Sequence, residues 1–271
     1  ARALESDSTF VHERLCRTGR TILHMATEVL ADARLTPQCQ VVRSGDLHCH
    51  RVEFVQLLLD YGAEVNATDR SGNTALHGAS AGQCASLMRL LLEHGADPNV
   101  ENCRGLTPTA LCLSPLAGRG LTFWTLEEDP RANGAAWVDA NGGMGAAHSD
   151  RAIASVAMLL GAGAQAGWRN RFGASLLDLA HLFEASGEVT DVLVQNGATA
   201  SWPECVGIRG ALSLAAEFVR ERSEYPLGLF SVQFEGDRWD VITNSSSAGR
   251  NVRVEIDARS GRVLRARWTP M

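Results

Sequence analysis

The short run DLHCH sets Asp46, His48, Cys49 and His50 almost side by side, with Cys39 ten residues before Cys49. Thiolate and imidazole are the ligands of a tetrahedral zinc shell, so His48, Cys49 and His50 are candidate metal ligands. No second C-x-x-C or H-x₃-H element follows to complete four ligands. The competing reading is a polar loop in which His48 and His50 flank a helix start, and on that reading the chain holds no metal and no cofactor.

Other reactive residue types occur without the company that catalysis needs. Ser155 and Ser175 fall inside helical patterns, where a hydroxyl bonds to backbone. The glycine-rich NGGMG run (Asn141 to Gly145) has neither a preceding strand nor a following Lys-Ser/Thr, so it is not a phosphate loop. Glu127, Glu128 and Asp129 are adjacent, whereas acid/base work requires groups held across a cleft. His94 stands at a helix C-terminus, where its charge suits the dipole. These residues predict a protein that is not an enzyme.

The elements that carry them repeat. G-x-T-x-x begins at Gly72 and again at Gly105, 33 residues apart, the period at which a β-turn and two short antiparallel helices form a stackable unit. Four units follow. The first runs from GRTILHMA (Gly19 to Ala26) to VEFVQLLLDYGAEVNATD (Val52 to Asp69), and the second from GNTALHGA (Gly72 to Ala79) to LMRLLLEHGADPNVEN (Leu87 to Asn102). The third joins GLTPTALCLSP (Gly105 to Pro115) to IASVAMLLGAGAQAGWRN (Ile153 to Asn170), and the fourth GASLLDLA (Gly173 to Ala180) to VTDVLVQNGAT (Val189 to Thr199). Thr74 is placed to cap a helix and Gly95 to end one. Leu76, Ala79, Leu90 and Leu91 form apolar faces that a single helix pair cannot bury alone.

The regular spacing fails inside the first and third units, which carry insertions at roughly Ala31 to His50 and Leu116 to Ser149. Both fall between the two helices of their unit, and both are expected to leave the stack from one edge. The longer insertion carries Phe123, Trp124 and Trp137, which either dock on the solenoid or meet a partner.

These motifs resemble the ankyrin repeat family over residues 19 to 199, most clearly in the second unit, where T-A-L-H, L-L-L, G-A-D and P-N fall in register. The resemblance implies a stack of helix pairs with protruding β-turns, used mostly for protein recognition and without catalytic residues. It also implies that His24 and His77, in the L-H position, bond within the turn region. Turn-tip residues Asp69, Arg70, Glu101 and Arg104, with Trp124 and Trp137, are the expected partner contacts.

After Thr199 the period changes. Ala211 to Arg222 reads as an amphipathic helix with Leu212, Ala215, Ala216 and Val219 on one face, and period-two alternation appears in LFSVQF, RWDVIT, VRVEI and VLRARW. In the last hairpin Val252, Val254, Ile256, Leu264, Ala266 and Trp268 are expected to face one way, with Arg253, Glu255, Arg265 and Arg267 facing water. This tail is similar to PepSY-type domains and to immunity proteins of the NTF2-like fold. The expected class is α+β: a capping segment over 1–18, an ankyrin-repeat α-solenoid with two loop insertions over 19–200, a linker over 201–210, and a small helix plus antiparallel sheet domain over 211–271.

Composition narrows the partners. The net charge of −6 argues against general nucleic-acid or anionic-membrane binding, and no apolar run approaches the ~20 residues of a membrane span. All 25 cationic side chains are arginine, as in a GC-rich genome or in a protein that avoids lysine modification inside another cell. Arginines 250, 253, 259, 262, 265 and 267 crowd the tail, so the remainder is more acidic than the whole chain. Seven cysteines without disulfide-scaffold spacing favour a reducing, cytoplasmic setting. The chain opens on Ala1, which leaves a removed signal peptide possible. The function expected is binding of another protein, in particular inhibition of a bacterial toxin by an immunity protein; the alternatives are a secreted effector or general scaffold, and an enzyme with its site in the insertions or the C-terminal domain.

Overall fold

A computed structural model describes residues 11–27, 44–113, 122–124, 145–222, 230–243 and 252–268. In chain order these form α1 (Ile22–Thr27), α2 (Ser44–Asp60), α3 (Ala75–Ala81), α4 (Ala85–Glu93), α5 (Pro108–Leu113), β1 (Thr122–Trp124), α6 (Gly145–Gly161), α7 (Leu176–Leu182), α8 (Gly187–Gln195), α9 (Ile208–Arg220), β2 (Phe230–Phe234), β3 (Arg238–Thr243), β4 (Val252–Asp257) and β5 (Val263–Trp268). The chain divides into two compact units, Ala1–Cys112 with Arg151–Gln165, and Leu113–Asp150 with Ala166–Met271.

The first unit is a stack of short helix pairs. In α4 the buried residues are Leu87, Met88, Leu90 and Leu91, a three-to-four spacing that makes one apolar stripe, while Ser86, Arg89 and Glu93 face out. The helix stops at Gly95, whose φ of 81° lies in the left-handed region, and the Ala96 N–H reaches back to the Leu91 carbonyl at 2.9 Å. The same bond closes the other second helices, from Ala63 to Leu58, from Ala164 to Leu159 and from Ala198 to Leu193. Leu23, Leu58, Leu76, Leu87, Met88, Leu91 and Leu159 are fully buried in this stack.

The turns are built on one recurring side chain. Asp69 Oδ1 accepts the N–H groups of Ser71 and Asn73 at 2.8 and 2.9 Å, and Asn102 Oδ1 those of Arg104 and Leu106 at 2.9 and 3.1 Å. Neighbouring turns then bond directly, Arg70 N–H to the Thr18 carbonyl at 2.9 Å and Cys103 N–H to the Ser71 carbonyl at 2.8 Å. This approach needs Gly72: its φ is 73°, and a Cβ there would stand 2.9 Å from the Cys103 nitrogen.

The second unit joins the fourth helix pair to the sheet. The strand order is β1-β2-β3-β4-β5 and every pairing is antiparallel. Ile208, Ala211, Ala215, Ala216 and Val219 of α9 are buried, and α9 packs on β2, β3 and β4. Below it Val232, Phe234, Trp239, Val241, Val252, Val254 and Ile256 make the buried face. Phe183, which caps α7, stands 5.8 Å from Phe234 and 5.5 Å from Trp239 in edge-on geometry, and Trp239 Nε1–H donates to the Val206 carbonyl at 2.7 Å. Arg259 lies over Trp202 and donates to the Phe172 carbonyl at 2.6 Å.

Several local expectations change. Helix α2 begins at Ser44, so His48, Cys49 and His50 lie within a helix and not in a polar loop before one. Helix α9 begins at Ile208, three residues before Ala211, with Gly207 as its N-cap; burial of Ile208 outweighs the poor helix propensity of Gly210. A bulge between Glu255 and Ile256 pairs Ile256 with Val263 and leaves Leu264 as the extra residue. Leu264 is accordingly 51% exposed; Trp268 keeps its place opposite Val252 but is 48% exposed at the end of the strand. Part of the long insertion, Thr122 to Trp124, is the strand β1 beside β2.

Replacing Gly72 by Ala should lower unfolding free energy by about 1–3 kcal/mol, because both the positive φ and the neighbouring turn resist a side chain. Gly167→Ala, where no atom lies within 4 Å of the new Cβ, is the control and should be neutral or slightly stabilising. Urea unfolding of the two variants checks the difference.

Candidate protein-interaction surface

Between the turns lies the interaction that holds them in register. His77 is 1% exposed. Its Nδ1 accepts the Thr74 N–H at 3.0 Å, and since a backbone N–H can only donate, Nδ1 carries no proton. Nε2 therefore holds the hydrogen and donates it to the Leu106 carbonyl of the next turn at 3.1 Å. His24 does the same, with Nδ1 accepting from Thr21 N–H at 3.2 Å and Nε2 bonded to the Asn73 carbonyl at 2.9 Å. Burial holds both imidazoles below the ordinary range, His77 to about 4.

A second ladder runs along the helix ends. Asn66 donates to the Gly95 carbonyl at 3.0 Å and accepts the Asp97 N–H at 2.8 Å; Asn99 makes the same pair with Gly163 and Gln165 at 3.0 and 2.8 Å. The sequence carries this signal as an asparagine recurring 33 residues later, which the helical pattern alone does not single out.

Both ladders change with the repeat. At the histidine position the third repeat has Ala110, and at the asparagine position Gly167, so neither bond can form from it. The fourth repeat has Asp178 in place of histidine. Its Oδ2 accepts Ser175 N–H at 2.8 Å, closing the same capping geometry, but toward the following segment a carboxylate can only accept. It takes the N–H groups of Ser201 and Trp202, at 3.1 and 3.2 Å from Oδ1, where the histidines of the first two repeats meet a carbonyl.

The candidate contacts divide accordingly. Asp69 is 9% exposed, and its carboxylate holds its own turn and lies 3.5 Å from Arg20. Arg70, Glu101 and Arg104 are exposed at the turn tips; Arg70 also donates to the Arg17 carbonyl at 3.0 Å. Backbone pairing puts Trp124 opposite Phe230 in the second unit. Trp137 lies outside the described residues, as does most of both insertions, although the last residues of the longer one, from Gly145, begin α6. Positions 48, 49 and 50 fall in the first half of α2. Among the described residues no group of three His, Cys, Asp or Glu is placed to hold a metal. Ser175 caps α7, Ser155 is buried, and the Cys112 thiol, pushed up to about 12 by burial, donates to the Ser80 carbonyl.

Residues 9–102 match the family of ankyrin repeats, in three copies. This stretch is a run of ankyrin repeats. The B-cell lymphoma 3 protein homolog of Mus musculus is 44% identical over 63 residues, 23% of this chain and 14% of that protein. Protein PhlB of Serratia liquefaciens is 50% identical over 68 residues, 25% of this chain and 29% of that protein. Ankyrin repeat and SOCS box protein 16 of Mus musculus is 49% identical over 56 residues, 21% and 12% of the two chains. The chain thus spans less than a third of each relative's length. Among the described residues no helix is long and apolar enough to cross a membrane.

The ankyrin histidine predicts a pH dependence. The unfolded chain takes up a proton at His77 near pH 6.5 and the folded chain only near pH 4. Unfolding is therefore favoured progressively as pH falls through that window, by about 3 kcal/mol in total, and His24 acts in the same direction. His77→Ala should cost roughly 1–3 kcal/mol at pH 7, chiefly through the unpaired Thr74 N–H, since the Leu106 carbonyl keeps its bond from the Asn102 N–H, and should flatten the slope. Urea unfolding at a series of pH values measures both.

Proposed function

We propose that the chain acts by holding another protein, through occupancy and not turnover. The observation that carries this reading is the row of repeat turns, bonded tip to tip, with Arg70, Glu101 and Arg104 exposed on rigid backbone. Ordered turns leave little backbone entropy to lose on binding. The groups whose acidity the fold shifts most, His77 and Cys112, are at most 1% exposed and bonded within the stack, which suits structure better than acid/base chemistry. The relatives include a protein named for ankyrin repeats.

The finer reading is that the partner is a bacterial toxin and the chain its inhibitor. It is supported by the negative charge, suited to a cationic partner, and by the similarity of the tail to immunity-type sheets. In this reading Trp124 and Trp137 of the long insertion supply aromatic anchors of their own.

Affinity purification from the native organism, with wild type beside the Arg70→Ala/Glu101→Ala/Arg104→Ala variant, tests the first reading. The expected result is a protein partner retained by wild type and weakened at least tenfold by the variant at unchanged melting temperature. Equal recovery by both, or catalytic turnover of a metabolite with no partner, would reverse it. For the finer reading, cells expressing a toxin that co-purifies with this chain should survive only with the chain present. Trp124→Ala/Trp137→Ala should remove that protection.

A further inference from the structure

The sheet of the second unit ends at β5. Among the described residues this strand has a hydrogen-bonded neighbour on one side, β4, and leaves its other edge open. An open edge offers alternating N–H and C=O groups to any extended chain, and proteins ordinarily guard such edges. Here the guards are arginines. Arg262, Arg265 and Arg267 are exposed.

Their neighbours leave these charges unanswered. Arg265 stands across from Glu255, whose carboxylate lies 3.6 Å from Arg238 on the far side. Arg267 stands across from another arginine, Arg253, and the guanidinium of Arg253 is held by Asp240, with Nε to Oδ1 at 2.8 Å and Nη2 to Oδ2 at 2.5 Å. The inner arginines thus engage the acids, and neither Arg265 nor Arg267 has an ion pair among the described residues. On the opposite face Trp268 pairs across the strands with the buried Val252 yet remains half exposed, extending the apolar face beyond its cover.

We propose that β5 is a docking edge for an extended segment of another protein that alternates acidic and apolar residues. The segment adds as a sixth strand: its carboxylates meet Arg265 and Arg267 on one face, and its apolar side chains continue the face of Trp268 on the other. A second copy of this chain is a poor occupant, because pairing β5 with itself with polar faces together sets arginine against arginine. The edge belongs to the second unit and does not depend on the turn-tip reading, whose failure would appear in the Arg70/Glu101/Arg104 variant alone.

The test uses the full chain and a fluorescein-labelled decapeptide of alternating Glu and Val. The expected result is saturable binding, amide chemical-shift changes centred on residues 263–268, and at least tenfold weakening in Arg265→Glu/Arg267→Glu at unchanged melting temperature. The peptide N-methylated at every second residue, made in both phases, keeps the charge but loses one hydrogen-bonding edge in each phase; one phase should lose at least tenfold in affinity. A Lys-Val decapeptide should not bind. The proposal is overturned if no binding occurs up to millimolar peptide, if both methylated peptides bind like the parent, if charge reversal has no effect, or if the shifts fall elsewhere. Sedimentation showing a dimer abolished by Arg265→Glu/Arg267→Glu would assign the edge to a second copy and also overturn it.

Discussion

A buried imidazole bonded at both nitrogens is the interaction on which the first unit depends. Burying His77 unpaired would leave polar nitrogens without water, and charging it would be worse. The repeat avoids both by satisfying Nδ1 from the histidine's own turn and Nε2 from the next one. Because the second bond requires the following turn to be in place, one side chain links local capping to stacking. The Asn66 and Asn99 carboxamides do the same at the helix ends, giving and receiving one bond each. Leucine burial supplies most of the stabilisation; these polar bonds select the register in which the leucines meet.

The rest of the architecture follows from where these links are present. Ala110 and Gly167 leave the third repeat without histidine or asparagine at these positions, and the division of the chain into two compact units falls within that repeat. Asp178 then reverses the polarity of the link. A carboxylate cannot donate to another turn, but it can anchor Ser201 and Trp202 as the chain turns toward α9. Phe183, Phe234 and Trp239 complete this second unit with an aromatic cluster. A single position thus carries His in the first two repeats, which bond to the next turn, Ala in the third, which cannot, and Asp in the fourth, which accepts from the segment leading to α9.

What could be read in advance was local. The recurrence of Gly72 at Gly105 reveals the turns, the G-A pairs reveal the helix ends, and alternation places β3 and β5 at their observed bounds. What could not be read depended on distant partners. Thr122 to Trp124 becomes a strand because β2 lies beside it, a pairing across more than a hundred residues that no local pattern announces. The bulge at Glu255 and Ile256 moves Leu264 out of the apolar row although strict alternation holds in the sequence. Asp69 resembled a surface contact because its turn is exposed, yet its carboxylate is consumed by two backbone N–H groups. Recognition surface and structural staple share the same few residues of each turn, and only bond geometry separates them.

The most direct measurement is nitrogen-15 NMR of the histidine side chains as a function of pH. The account predicts that His77 is the Nε2–H tautomer at neutral pH, with Nδ1 unprotonated and hydrogen-bonded, and that it stays neutral until about pH 4. A His77 ring that titrates near 6.5 in the folded chain, or that carries its proton on Nδ1, would contradict the link between one turn and the next.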